Sequence, residues 1–142
     1  MSSISEKPNS NFKILLVEDD PNNQLLMKFC LAKTNFPYDL AENGLEAVEK
    51  FEQGAYDLVL MDINMPVMNG LDATRKIRQI EKDNQQAETP IMAITANVTS
   101  EDRKKCIESG CNDIIAKPFK VQELLNTVNQ IAEKILLEKK SG

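Results

Sequence analysis

Five short apolar runs, each followed by a stretch with helical spacing, limit what this chain can fold into. The runs are Ile14–Val17 and residues 36–41, 56–61, 91–94 and 114–116. Strands that alternate with helices call for a parallel sheet, because a helical crossover returns the chain to start the next strand in the same direction. The pattern predicts an α/β domain of five βα units, with helices on both faces of the sheet. In such sheets ligands bind beyond the carboxyl ends of the strands, where the strand order reverses.

The helices carry their own signals. Pro21 suits a first helical position, with Asp20 as its cap. Leu25, Leu26, Phe29 and Cys30 then mark an apolar face. Asn43-Gly44 opens a second helix with a stripe of Leu45, Val48 and Phe51, ended by Gly54. Ala73, Ile77 and Ile80 mark a third, followed by a polar loop over 82–89. Thr99 and Ser100 cap a fourth, with Asp102 in capping-box position and Gly110 as its stop. Val121, Leu124, Leu125, Val128, Ile131, Ala132 and Ile135 give a last amphipathic helix of about four turns. Leu136 and Leu137 continue beyond it and offer an interface to a partner. The polar residues 1–11 read as a disordered tail, 12–137 as the domain, and 138–142 as a flexible end.

At 142 residues the chain is long enough for one substantial core. Its net charge of −5, with no block of Lys or Arg, argues against nucleic acid as a direct partner. No run approaches the roughly 20 apolar residues of a membrane span, and the first residues lack a signal-peptide core. A cytoplasmic location is expected, with no membrane insertion. Cys30, Cys106 and Cys111 form no CxxC and are odd in number, which fits reduced structural thiols. Histidine is absent. That excludes a Ser-His or Cys-His relay and a histidine-ligated zinc. The chain also cannot carry a phosphohistidine itself.

The distinctive polar residues all fall where strands end: Glu18 and Asp19 after the first, Asp62 after the third, Thr95 after the fourth and Lys117 after the fifth. A parallel sheet brings these ends to one edge. Three carboxylates there repel, raising at least one pKa. A divalent cation removes that repulsion, and an all-oxygen donor set favours Mg²⁺ or Mn²⁺ over zinc. With Lys117 alongside, the edge becomes a receptor for a phosphoryl group. An aspartate nucleophile with its ordinary pKa is already ionised at neutral pH. The bland readings cover less. Asp20 alone suffices to cap the first helix, which leaves Glu18 and Asp19 over. An isolated Asp62 would be a solvated strand-end acid, and an isolated Lys117 plain surface charge.

Val-Glu-Asp at 17–19, Met-Asp-Ile-Asn-Met-Pro-Val-Met-Asn-Gly at 61–70, Thr95, and Ala-Lys-Pro-Phe at 116–119 together resemble the receiver domain of two-component response regulators. The resemblance covers about residues 12–135. It implies a flavodoxin-like, doubly wound (βα)5 fold with strand order 2-1-3-4-5. It implies Asp62 as the acceptor of a phosphoryl group from a phosphohistidine on a histidine kinase or histidine phosphotransfer protein. Asp19, Asp62 and the backbone carbonyl of Asn64 would bind Mg²⁺, with Glu18 acting largely through water. Lys117 would pair with Asp62 and then with the phosphoryl oxygens. Thr95 would move to bond the phosphoryl group, shifting Ala96 and Asn97. Lys117-Pro118 would be a cis peptide.

The family often has Tyr or Phe three residues before the lysine. Here Ile114 stands there, so the signal is expected to travel through backbone shifts. The output surface would be residues 99–135, acting on a downstream protein or a kinase domain of a parent chain. The segment 20–24 resembles receivers attached to hybrid kinases. A Mg²⁺-dependent phosphatase with an Asp nucleophile would carry a second acid two residues on, where this chain has Asn64. A flavin or nucleotide site would want a glycine- or Ser/Thr-rich loop where Glu18-Asp19-Asp20 stands. A pseudo-receiver that only docks partners would not need the intact acid set.

Overall fold

The structure is a computed structural model that describes residues 12–65, 67–96 and 98–141, with the side chains of 140 and 141 not described. The tail expected over 1–11 lies outside the described residues, as does Asn97.

The elements follow in the order β1 (Ile14–Val17), α1 (Pro21–Ala32), β2 (Tyr38–Ala41), α2 (Gly44–Gln53), β3 (Leu58–Asp62), α3 (Gly70–Asp83), β4 (Ile91–Thr95), α4 (Ser100–Ser109), β5 (Asp113–Ala116) and α5 (Val121–Ser141). The strands form one parallel sheet in the order β2-β1-β3-β4-β5. This is the doubly wound arrangement expected. Strand β2 begins at Tyr38, two residues later than the apolar run.

β1, β3 and β4 are buried on both faces, so their side chains divide between two cores at the period of two. Leu15, Val17, Val59, Met61, Ile91 and Ala93 join α2, α3 and α4 in one core. Ile14, Leu16, Leu58, Leu60, Met92 and Ile94 join α1 and α5 in the other.

The caps form as the sequence suggests. The side chains of Asp20, Asn43 and Thr99 accept from the backbone N–H groups of Asn22, Glu46 and Asp102. Pro21 stands at the start of α1 and Gly110 closes α4 at φ 116°. Cys30, Cys106 and Cys111 are free and buried. Burial pushes the thiols of Cys30 and Cys106 above the ordinary cysteine range.

Three expectations are corrected. On α1 the inward face is Gln24, Met27, Cys30 and Leu31, while Leu25, Leu26 and Phe29 are 66%, 37% and 55% exposed. The inward residues recur at i, i+3 and i+6/i+7, a helical stripe with a polar first member that breaks its apolar signature. On α2, Leu45 faces solvent and Ala47 takes the inward place beside Val48 and Phe51. Helix α5 runs to Ser141 rather than stopping near Ile135. The added turns consist of good helix formers, Leu136 packs on the core, and Lys139 Nζ lies 2.9 Å from Asp57 Oδ1. Residues 138–141 are therefore helical. No helix among the described residues is long and apolar enough to cross a membrane.

Candidate functional site

Strand register brings the polar residues together. Val17 is level with Met61, Asp62 with Ile94, and Thr95 with Ala116. One further backbone bond extends each ladder: Glu18 N–H to Ala41 (3.0 Å), Ile63 N–H to Ile94 (3.1 Å) and Lys117 N–H to Thr95 (2.8 Å). Glu18 is thus level with Asp62, Thr95 stands one residue further along and Lys117 two, so all four gather at the carboxyl edge. This is where β1 and β3 diverge to opposite halves of the sheet.

Glu18, Asp19 and Asp62 each place a carboxylate oxygen within 4.8 Å of the others. Glu18 and Asp62 are almost fully buried, and Asp19 is partly exposed. Lys117 Nζ lies 3.2 Å from Asp62 Oδ1 and 3.4 Å from Glu18 Oε1. The second oxygen of Glu18 accepts from Asp20 N–H at 3.1 Å. Asp62 Oδ1 also accepts from the Asn64 N–H at 3.2 Å. The Asn64 side chain turns toward Thr95, its amide donating to Oγ1 at 3.5 Å. Thr95 is buried, and Ala96 beyond it is exposed. Ile114 is half-buried and packs against the α2–α4 core. The Lys117-Pro118 peptide is cis.

Burial raises the Asp62 pKa most, the neighbouring Glu18 charge adds to it, and Lys117 offsets part; the result is about 7. Without a metal, Asp62 is therefore not the plainly ionised acid that its ordinary pKa implies. One ammonium does not neutralise this acidic cluster. A hard divalent cation fits it, because every donor is oxygen and the three carboxylates converge from two strand ends.

Two residues that the sequence offers only as parts of motifs, Gly70 in 61–70 and Gln24 in 20–24, make contacts at the site. Gly70, at the start of α3, donates to the carbonyl of Ile63 at 3.0 Å. A Cβ there would stand 2.4 Å from the Asp62 carbonyl oxygen, so this close approach requires glycine. The Gln24 amide donates to the carbonyl of Glu18 at 2.7 Å from inside α1. The glycine had a visible signal, because a turn follows β3. The glutamine had one only to a reader who already knew the inward face of α1.

Known proteins arrange themselves around the same features. The response regulator receiver domain family matches residues 14–129. Hybrid signal transduction histidine kinase B of Dictyostelium discoideum is 43% identical over 121 residues, which is 80% of this chain and 6% of that protein. Among solved structures, the receiver domain of sensor histidine kinase PA1611 from Pseudomonas aeruginosa PAO1 is 40% identical, with a TM-score of 0.75 over 85% of this chain and 98% of that one. It has a magnesium ion coordinated in its active-site cleft. The co-crystal structure of the Saccharomyces cerevisiae phosphotransfer protein Ypd1 with the receiver domain of Ssk1 aligns at 38% identity and a TM-score of 0.76, over 80% of this chain and 83% of that one. The chain spans only a small part of the curated relatives it matches, from 3% of one to 21% of another. A five-stranded parallel sheet, an acid cluster at its switch point and a family match across nearly all the elements lead to one conclusion: the chain belongs to the response regulator receiver domain family.

Proposed function

We propose that Asp62 accepts a phosphoryl group from a phosphohistidine on a histidine kinase or histidine phosphotransfer protein. The observation that carries this reading is the buried Asp62 carboxylate, held 3.2 Å from the Lys117 ammonium and within 4.8 Å of the Glu18 and Asp19 oxygens. Asp19, Asp62 and the backbone carbonyl of Asn64 would hold Mg²⁺, with Glu18 reaching it through water; Mn²⁺ suits the same donors. When bound, the cation neutralises the acids and the oxygens of the incoming phosphoryl group.

The reaction asks the chain for alignment and charge balance rather than a strong base. An Asp62 carboxylate oxygen forms a bond to phosphorus as the bond between phosphorus and the donor's imidazole nitrogen breaks. The electron pair of that bond leaves on the imidazole. Lys117 follows the new charge from the carboxylate to the phosphoryl oxygens. Thr95 Oγ1 turns to donate to them, drawing Ala96 and the start of α4 with it. Ile114 supplies no aromatic ring to follow that movement, so the change reaches residues 99–135 through the backbone of the β4–α4 connection. Later attack of water on phosphorus breaks the acyl–phosphate bond and restores Asp62 with release of inorganic phosphate.

The face that meets the donor is α1. Leu25, Leu26 and Phe29 are exposed there. A cavity of about 230 Å³, walled by Leu26, Met27 and Phe119, opens from this side onto Glu18 and Lys117. An apolar surface beside a charged reaction centre suits a protein donor that must exclude water around the transfer. The phosphoryl source is a histidine kinase domain or a separate histidine phosphotransfer protein.

Incubation with a phosphorylated histidine phosphotransfer protein and Mg²⁺ tests the reading. Label should move to this chain, and Asp62→Asn should block it. Retained transfer to the Asp62→Asn protein would count against it.

A further inference from the structure

We propose that Gln24 is a positioning residue for the acidic turn, fixing the relative orientation of Glu18 and Asp19 by gripping the peptide unit that joins them. This rests on the reading of those two acids as metal-binding groups.

Gln24 lies on the inward face of α1 with Met27, Cys30 and Leu31, where an apolar side chain would pack without desolvating an amide. It is 7% exposed, and its Nε2 donates to the Glu18 carbonyl oxygen at 2.7 Å. The other polar atoms of Glu18 are held by other elements. Its N–H donates to Ala41 on β2, Oε2 accepts from Asp20 N–H, and Oε1 faces Lys117. The carbonyl is thus the one point where a side chain of α1 takes hold of this residue.

That carbonyl belongs to the planar peptide unit whose other end is the Asp19 nitrogen. Tilting the plane swings the Asp19 side chain relative to Glu18. The three acids converge within 4.8 Å, so a small tilt disperses them. Loss of the Gln24 donor also leaves a buried carbonyl to find another partner, and rotation of the same plane toward solvent is the available route. Groups that orient metal ligands through a hydrogen bond affect affinity without touching the ion.

The test is Mg²⁺ titration by calorimetry on the whole chain, comparing wild type with Gln24→Met, which keeps the length and lacks the donor. Gln24→Leu, close in size and without a donor, is the second variant should the first fail to fold. Leu31→Ala, on the same buried face and without contact to the acids, controls for loosening of α1. The expected result is about tenfold weaker Mg²⁺ binding in the Gln24 variants and little change in Leu31→Ala. Hydrogen exchange at the Asp19 and Asp20 amides of the metal-free protein should quicken in the Gln24 variants alone. Mg²⁺ binding within about twofold of wild type, or weakened equally by Leu31→Ala, would overturn the proposal. If Asp62 labelling persists in that case, the positioning role falls and the phosphoryl-acceptor reading stands. A wild-type chain that binds no Mg²⁺ would remove both.

Discussion

Lys117 Nζ sits between two buried carboxylates, 3.2 Å from Asp62 Oδ1 and 3.4 Å from Glu18 Oε1. A single ammonium serves both acids and comes from the far side of β4, so the site joins β1, β3 and β5 through charge as well as through the sheet.

Removing that charge should leave the acids opposed. Lys117→Met is expected to lower stability by about 2 kcal/mol at pH 8 without metal, below the usual loss for a broken buried pair because Asp62 can take up a proton. Mg²⁺ should recover part of the loss while phosphotransfer stays impaired. Thermal denaturation with and without Mg²⁺ checks this; equal melting of variant and wild type without metal would show that the pair carries no charge balance.

The Asp62 pKa, raised from 3.8 to about 7, makes metal-free stability depend on pH. Between these values the folded state holds a proton that the unfolded chain has released. Stability should therefore be fullest at the acid end of the window and fall as the pH rises through about 7. Asp62→Asn removes the titrating group, so its advantage over wild type should grow from pH 5 to pH 8. Mg²⁺ should bind wild type more tightly over the same rise, because the metal competes with the proton. Denaturant titrations across the range measure the effect, and parallel profiles for the two proteins would contradict it.

Gly70→Ala tests the contact behind Asp62. Alanine would normally favour a helix start over glycine, yet the added carbon would meet the Asp62 carbonyl oxygen at 2.4 Å and the Ile63 Cα at 2.8 Å. Both are backbone atoms, so β3 or α3 has to shift. The expected cost is about 2–3 kcal/mol, with a fall in phosphorylation rate as the end of β3 moves. Urea unfolding and a labelling time course measure the two effects; a stabilised variant would show that the approach is looser than described.

Val67 stands at φ 70° and is 78% exposed. A β-branched residue is strained there and has little packing to lose. Val67→Asn, which tolerates this conformation, should gain about 0.5–1 kcal/mol. A lower melting temperature would indicate that Val67 makes a contact of value in the β3–α3 loop.

Much of this architecture was legible because each βα unit showed an apolar run followed by helical spacing, and at three of the five a cap was legible too, at Asp20, Asn43 and Thr99. Glu18, Asp62, Thr95 and Lys117 were legible only as a set: each alone has a bland explanation at a strand end, but all of them brought to one edge of a parallel sheet do not. The face of α1 was not. Leu25, Leu26 and Phe29 are apolar at helical spacing, but they point outward, and a buried Gln24 occupies the start of the true inward stripe. Periodicity names candidate faces and tertiary packing chooses among them. The length of α5 was hidden similarly, because its last turns are held by Leu136 against the core and by the pairing of Lys139 with Asp57, a partner 82 positions earlier in the chain.

The most direct test of the central claim is the position of the phosphoryl group. The protein is incubated with acetyl phosphate and Mg²⁺, and the acyl phosphate is trapped by borohydride reduction and mapped by peptide mass spectrometry. The account predicts modification at Asp62, abolished by chelation and by Asp62→Asn. Modification at another residue, or at Asp62 with no need of a divalent cation, would contradict it.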